Sequence, residues 1–162
     1  MILDRNLIVS GSVGGTATSP SITGQAVTTT AVSTDTIDLS VARDIGSGGE
    51  DLILRAEITT LFAGLTSLNI EAIVTDAADL TGNVTVIGST GAITLASGGL
   101  AAGERYNVRL NPRLAALART GRRYLGVRYT VVGTASAGAV FADFGVGVQD
   151  GLKFYATGYS IL

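Results

Sequence analysis

Carboxylates are the main side chains in this sequence that could do chemistry, because its 162 residues include no histidine and no cysteine. Asp76, Asp79 and Asn83 stand close together in "TDAADLTGN", and their oxygen atoms are of the kind that binds Ca²⁺. The same stretch is typical of a connection between strands, in which Asx turns satisfy the local backbone groups. We favour the turn, and we predict no metal site.

The other carboxylates do not form a catalytic pair. Glu50 and Asp51 are adjacent at the start of a predicted strand, so their side chains point to opposite faces. A glycosidase needs two carboxylates across a cleft, and sugar platforms need aromatic residues, which make up only 6% of this chain. Without histidine and cysteine, Ser-His-Asp triads, Cys nucleophiles and zinc sites are excluded. The sequence predicts a protein that is not an enzyme and that needs no cofactor.

Several binding functions also lack their motifs. The glycine stretches "GSVGG", "GSGGE" and "GVGVQDG" lack the Lys-Ser/Thr ending of a phosphate-binding loop, and we interpret them as turns and bulges. The formal net charge is −2 and the arginines do not alternate with aromatic residues, so no direct contact with nucleic acid is expected. No run of 18 apolar residues and no signal peptide is present. We expect no membrane partner, and we expect that the protein is not exported from the cell that makes it.

The elements that would position these residues are strands. Short Val/Ile/Leu/Thr/Tyr runs bounded by glycine or small polar residues predict strands near 26–32, 36–40, 51–60, 67–75, 83–88, 91–96, 105–110, 123–132, 139–149 and 153–161. Several runs alternate: Leu52, Leu54, Ala56 and Ile58 share one face of "DLILRAEIT". One short helix is predicted at "NPRLAALARTG", capped by Asn111 and closed by Gly121.

These patterns predict the fold class. Many short strands at this spacing, with 22 glycines at the corners, indicate an all-β, antiparallel β-sandwich of jelly-roll type with one short helix. The length predicts a single domain over residues 1–162, in which 10–25 is a flexible loop rich in Gly, Ser and Thr. In "STDTIDLSVARDIGSGGE", Ile37 and Leu39 are expected to point inward and Asp35 and Asp38 outward. The following corner is expected to be structural, with Arg43 or Asp44 holding its backbone.

Charge is distributed unevenly along the chain. Residues 1–104 carry 3 basic and 11 acidic residues, whereas residues 105–162 carry 8 basic and 2 acidic ones. One interpretation is that acidic strands of the first part neutralise basic strands of the second within the fold. The other is an exposed basic corner that docks on an acidic partner, since arginine pairs carboxylates bidentately. The candidate residues of that corner are Arg113, Arg119, Arg122 and Arg123.

Both ends of the chain are apolar, although free chain ends are commonly polar. One interpretation is that they complete the sheet; the other is that they contact a neighbouring copy. The candidate interface residues at the ends are Ile2, Leu3, Leu7, Phe154, Tyr155 and Tyr159.

Three blocks in this order carry a family resemblance: "MILD" at the start, "STDTIDLSVARDIGSGGE", and "RRYLGVRYTVVGTASAGAVFA" late in the chain. Together with "ITLASGGLAAGERYNVRLNP" they resemble the capsid cement proteins of certain tailed bacteriophages, over roughly 1–9 and 26–150. The segment 10–25 departs from the family's pattern and looks like an insertion.

The resemblance implies a jelly-roll decoration protein on the exterior of the virion. Such a protein binds the major capsid protein, bridges its subunits and stabilises the head against internal DNA pressure. It also implies self-association, for which we favour a dimer over a trimer. The alternatives are a carbohydrate- or ligand-binding β-sandwich of a phage fibre or adhesin, which would show saturable glycan binding, and a β-sandwich enzyme.

Overall fold

The protein is described by a computed structural model that covers residues 5–16, 19–40, 52–110 and 122–146. The strands in these ranges are β1 (Ile8–Ser10), β2 (Ser12–Thr16), β3 (Ser19–Thr23), β4 (Gln25–Ala26), β5 (Ala31–Val32), β6 (Ile37–Asp38), β7 (Leu52–Thr75), β8 (Thr85–Ser89), β9 (Ile93–Thr94), β10 (Arg105–Arg109) and β11 (Tyr124–Val146). Two single 3-10 turns, at Arg5–Leu7 and Leu95–Ser97, are the helical elements of the described ranges, where no helix is long and apolar enough to cross a membrane.

The sheet is built around one long antiparallel ribbon, formed by β7 and β11. Along its outer edge β11 also pairs with four short strands, β6, β5, β4 and β1. The outer edge of β7 pairs in the same way with β8, β9 and β10. Every pairing is antiparallel, and the sheet curls on itself. The predicted all-β, antiparallel class of β-sandwich type is confirmed.

The ribbon bends in its middle, where glycines take backbone angles that other residues rarely adopt. Gly64 of β7 has a φ of +84°, and Gly133 of β11 has a φ of +89°. The register shifts several times between Val132 and Val140, as expected at β-bulges. Strands predicted separately at 51–60 and 67–75 are therefore one bent strand, and those at 123–132 and 139–149 join in the same way. The interpretation of two strands in each case was wrong.

Alternating apolar residues supply the core, as the sequence predicted. Leu54, Ala56 and Ile58 are buried on one face of β7, and Val127 and Tyr129 are buried on β11. Ile37 and Leu39 pack against this core, while Asp35 and Asp38 are exposed, so the predicted orientation of that segment is confirmed.

The segment predicted as a flexible loop, 10–25, contains a β-hairpin instead. Its strands β2 and β3 pair in a two-stranded sheet separate from the main one. The prediction of a loop was wrong because the backbone hydrogen bonds between two strands do not depend on side chains. Small and hydroxylated residues therefore form this hairpin without the large apolar residues that mark a strand in sequence. The predicted helix at 111–121, the strand at 153–161 and the corner at 42–50 lie outside the described residues.

Candidate interaction surface

The described part of the proposed basic corner is engaged within the fold. The Arg123 guanidinium donates to a carboxylate oxygen of Asp38 at 2.7 Å and lies 4.9 Å from the centroid of the Tyr124 ring. The hydrogen bond from Arg123 to Asp38 raises the pKa of the guanidinium. Arg122 donates to the hydroxyl of Thr85. Arg113 and Arg119 lie outside the described residues, so their role stays a prediction.

Ion pairs join the acidic and basic parts of the chain at other places too. Arg128 donates to Glu71 at 2.7 Å across the β7–β11 ribbon, and Arg105 of β10 donates to Glu57 of β7 at 2.9 Å. With Arg123 and Asp38, these pairs each join an acidic residue before position 104 to an arginine after it. For the residues concerned, the interpretation that the two parts neutralise each other is confirmed.

A fourth pair is buried in the ribbon. Arg55 donates through Nε to Oδ1 of Asp143 at 3.2 Å and through Nη2 to Oδ2. The Asp143 side chain is only 3% exposed, and burial raises the pKa of its carboxyl, while the bond from Arg55 opposes that shift. This bidentate geometry fastens β7 to β11, and it pairs the two charges with each other within the fold.

The candidate calcium ligands close a turn. Asp79 accepts hydrogen bonds from the Thr81 amide at 3.1 Å and from its hydroxyl at 2.7 Å, and these bonds lower the pKa of the carboxyl. Asp76 accepts a bond from the Asn83 side-chain amide. The turn carries Leu80 into the core, where it packs over Gly126. The preference for a turn is confirmed, and no cluster of three metal-ligating side chains occurs among the described residues.

Uncharged segments of the chain meet in the middle of the ribbon. Residues 58–70 of β7 and 129–142 of β11 carry no charge, and neither do residues 6–34, of which β1, β4 and β5 pair with β11. Among the exposed residues of these segments, we give the name neutral band to Thr28, Thr29, Thr30, Leu61, Val132 and Thr134. The Val131 amide donates to the Thr30 hydroxyl at 3.0 Å, which holds the threonine loop against β11.

Leu61 and Val132 give the neutral band an apolar character. Their side chains are 55% and 53% exposed, although both are large and hydrophobic. A surface without charge is covered by a partner at low desolvation cost, because the cores of protein interfaces are depleted in charged residues. The neutral band is therefore a candidate surface for contact with another protein.

The hairpin presents the second pair of exposed apolar side chains. Val13 of β2 and Ile22 of β3 are direct partners in the register and are 43% and 37% exposed. Direct partners in an antiparallel pair project from the same face. The hydroxyl residues Ser12, Ser21 and Thr23 alternate with them on the other face. The hairpin thus has one apolar and one hydroxylated face, and neither carries a charge.

A groove opens at the base of the hairpin, with a volume of about 400 Å³. Its lining residues are Arg5, Ile8, Gly11, Ser12, Val13 and Asp35. Arg5 and Asp35 make no ion pair with each other or with another described residue. The lining of the groove therefore combines an apolar side chain with a cation and an anion, neither of which is paired with a described residue.

Of the ten interface residues predicted from sequence, Leu7, Arg122 and Arg123 lie in the described part of the chain, and the role of all ten as an interface stays a prediction. Leu7 is half-buried in the first 3-10 turn, and Arg122 and Arg123 bond to neighbouring elements. The chain-end candidates Ile2, Leu3, Phe154, Tyr155 and Tyr159 lie outside the described residues. The neutral band and the hairpin were missed, although the absence of charge over 6–34 was a signal available in the sequence.

A comparison with known families matches this architecture to one of them. The Bbp16 family matches residues 21–144, which run from β3 to the last part of β11. The match leaves β2 and the first residues outside it. No curated protein matches the chain. Since the match covers most of the sequence, the chain belongs to the Bbp16 family, which is a phage-related family.

Proposed function

We propose that this protein is a structural component of the phage virion that binds the outer surface of the capsid. In this role it bridges subunits of the major capsid protein and stabilises the head against internal DNA pressure. The observation that carries the proposal is the match to a phage-related family over residues 21–144. The resemblance of three ordered sequence blocks to phage cement proteins supports the same role.

The surface of the molecule suits such a role. A cement protein acts through buried area, since each bound copy stabilises the state of the shell to which it binds. The neutral band offers area that can be covered without desolvating charges, and Leu61 and Val132 offer apolar contacts within it. Glu71 and Arg128, which lie near Val132 on the ribbon, pair with each other.

The bent ribbon supports a bridging function by its extent. The strands β7 and β11 pair from Leu52–Val146 at one end to Thr75–Tyr124 at the other. The ribbon therefore connects the two ends of the sheet, so two partners bound at opposite ends are linked to each other through it. Self-association, which the bridging role includes, is part of the same proposal.

Co-sedimentation with undecorated phage heads tests the proposal. We expect stoichiometric binding, and a melting temperature of the heads that rises with the concentration of bound protein. Replacement of Leu61 by Asp should weaken binding about tenfold or more, because it puts a charge into a dry contact. Ala102→Asp is the matched control, since it adds the same charge in an exposed turn outside the neutral band.

The experiment also separates the alternatives. Absence of binding by the folded protein at micromolar concentration would contradict the capsid role, and saturable binding in a glycan screen would then favour the carbohydrate-binding module. If the Leu61→Asp variant binds heads as well as the wild type does, the capsid role is retained, but the neutral band is not the surface that contacts the capsid.

A further inference from the structure

The hairpin β2–β3 is the part of the described structure that the proposed function does not use. Two strands alone are marginally stable in water, and a hairpin normally packs its apolar face on something. Here Val13 and Ile22 on that face are both exposed. The hairpin is therefore an element whose apolar side is left exposed by the described part of the chain.

The base of the hairpin is held firmly in spite of this. Gly11 has a φ of +83°, and a Cβ atom there would overlap the carbonyl of Thr23 on the other leg. A Cβ atom on Gly24 would overlap the Thr59 side chain of β7. The two legs thus lie close to each other at Gly11, and the second leg passes closely over the main sheet at Gly24.

The charges around the groove indicate what covers this face. Residues 6–34 carry no charge, while Arg5 and Asp35 flank them and both line the groove with Val13. A two-fold contact brings the same surface of two copies together. If one residue of the first copy contacts a given residue of the second, the reverse contact is also made. A surface that holds one cation and one anion beside an apolar centre complements itself under such an operation.

We propose that the apolar face of the hairpin packs on the same face of a second copy of this chain. Val13 and Ile22 of the two copies form the apolar centre of the contact, and Arg5 of each copy faces Asp35 of the other. The inference rests on the proposed function, because it assigns a surface to the self-association which that function includes. It concerns a segment whose first strand lies outside the family match.

Sedimentation velocity over about 1 to 100 µM protein tests the contact. We expect the wild type to dimerise with rising concentration and Ile22→Asp to weaken dimerisation about tenfold or more. Ser21→Asp is the matched control, because it adds the same charge one residue away on the hydroxylated face. It should change the dissociation constant by no more than about twofold. Circular dichroism and the melting temperature establish that both variants fold.

A charge exchange tests the two-fold arrangement. Arg5→Asp and Asp35→Arg should each weaken dimerisation, since each places like charges opposite one another. The double variant restores the opposite charges and should recover the wild-type dissociation constant within about threefold. Losses that add in the double variant would overturn the pairing of Arg5 with Asp35.

Two further results would overturn the whole inference. One is a wild type that stays monomeric over the entire range, and the other is an equal loss in the Ile22→Asp and Ser21→Asp variants. Head binding, measured separately, distinguishes this inference from the proposed function. A wild type that dimerises and does not bind heads would contradict the capsid role and support the contact between hairpins. An Ile22→Asp variant that dimerises normally and no longer binds heads would assign the hairpin to the capsid and overturn the proposed contact between copies.

Discussion

Tyr129 shows how a single side chain fixes the position of a strand far away in sequence. Its hydroxyl donates to the Oγ of Ser10 at 2.6 Å, and both residues are 0% exposed. Burial raises the pKa of Tyr129, so the hydroxyl keeps its proton and remains a donor in alkaline solution. The bond ties β1, and with it the base of the hairpin, to the centre of β11.

Removal of this hydroxyl should therefore destabilise the protein. We expect Tyr129→Phe to lower the free energy of unfolding by about 1–2 kcal/mol, because the buried Ser10 hydroxyl loses its donor. Chemical denaturation measures this value, and Ser10→Ala provides the control. The double variant should lose little more than the larger single loss, since the two changes remove one shared bond. Fully additive losses would show that the two hydroxyls act independently.

At the level of secondary structure, the bend in the β7–β11 ribbon is the feature that most affects the fold. Gly138 of β11 has a φ of +144°, and a Cβ atom there would overlap the ring of Phe62 on β7. Phe62 is 1% exposed, so its ring has no space into which it can move. The absence of a side chain at position 138 is thus what allows β7 and β11 to pack through the bend.

A methyl group at this position should be poorly tolerated. We expect Gly138→Ala to cost about 2 kcal/mol or more, from the contact with Phe62 together with backbone strain. Gly91→Ala is the control, because Gly91 has a φ of +72° with no atom near the added Cβ. Its cost should be about 1 kcal/mol, from strain alone. Equal losses of stability in the two variants would contradict the role of the Phe62 contact.

The sequence predicted correctly that the ribbon consists of β-strands, but it did not predict that β7 and β11 are each continuous through the bend. Alternation over Leu52–Ile58 and over 67–75 identified two strands, since apolar residues recur at every second position in each half of β7. Between the halves Phe62 and Leu65 are buried three residues apart, because the bend at Gly64 changes which side of the chain faces the core. A glycine in a strand marks a bulge as often as a turn, and the sequence alone does not distinguish them.

The candidate surfaces were harder to predict for a related reason. Charged residues at 122–123 stand out in sequence, yet their partners Thr85 and Asp38 are far along the chain and become visible only in the fold. Val13 and Ile22 are single apolar residues among small ones, and only the register of β2 and β3 brings them together. Uncharged stretches were visible, but their meeting along one ribbon depends on the topology.

At the scale of the whole molecule, the two candidate modes of docking differ in their response to salt. A contact through the neutral band depends on apolar area, whereas one through the basic corner depends on charges that salt screens. We expect the dissociation constant for phage heads to change by less than about tenfold between about 0.05 M and about 0.5 M NaCl. Co-sedimentation at several salt concentrations measures this change. A steep loss of binding with salt would instead favour the arginine corner.

The pairing of β7 with β11 along their whole length has a mechanical consequence. Inter-strand hydrogen bonds lie across the strands, so a tension applied along the ribbon from its opposite ends loads many of them together in shear. A force that separates the strands at one end breaks the same bonds one after another. Each half of the ribbon is therefore stiff along its length and weak against peeling, and the bulges between Val132 and Val140 separate the two halves.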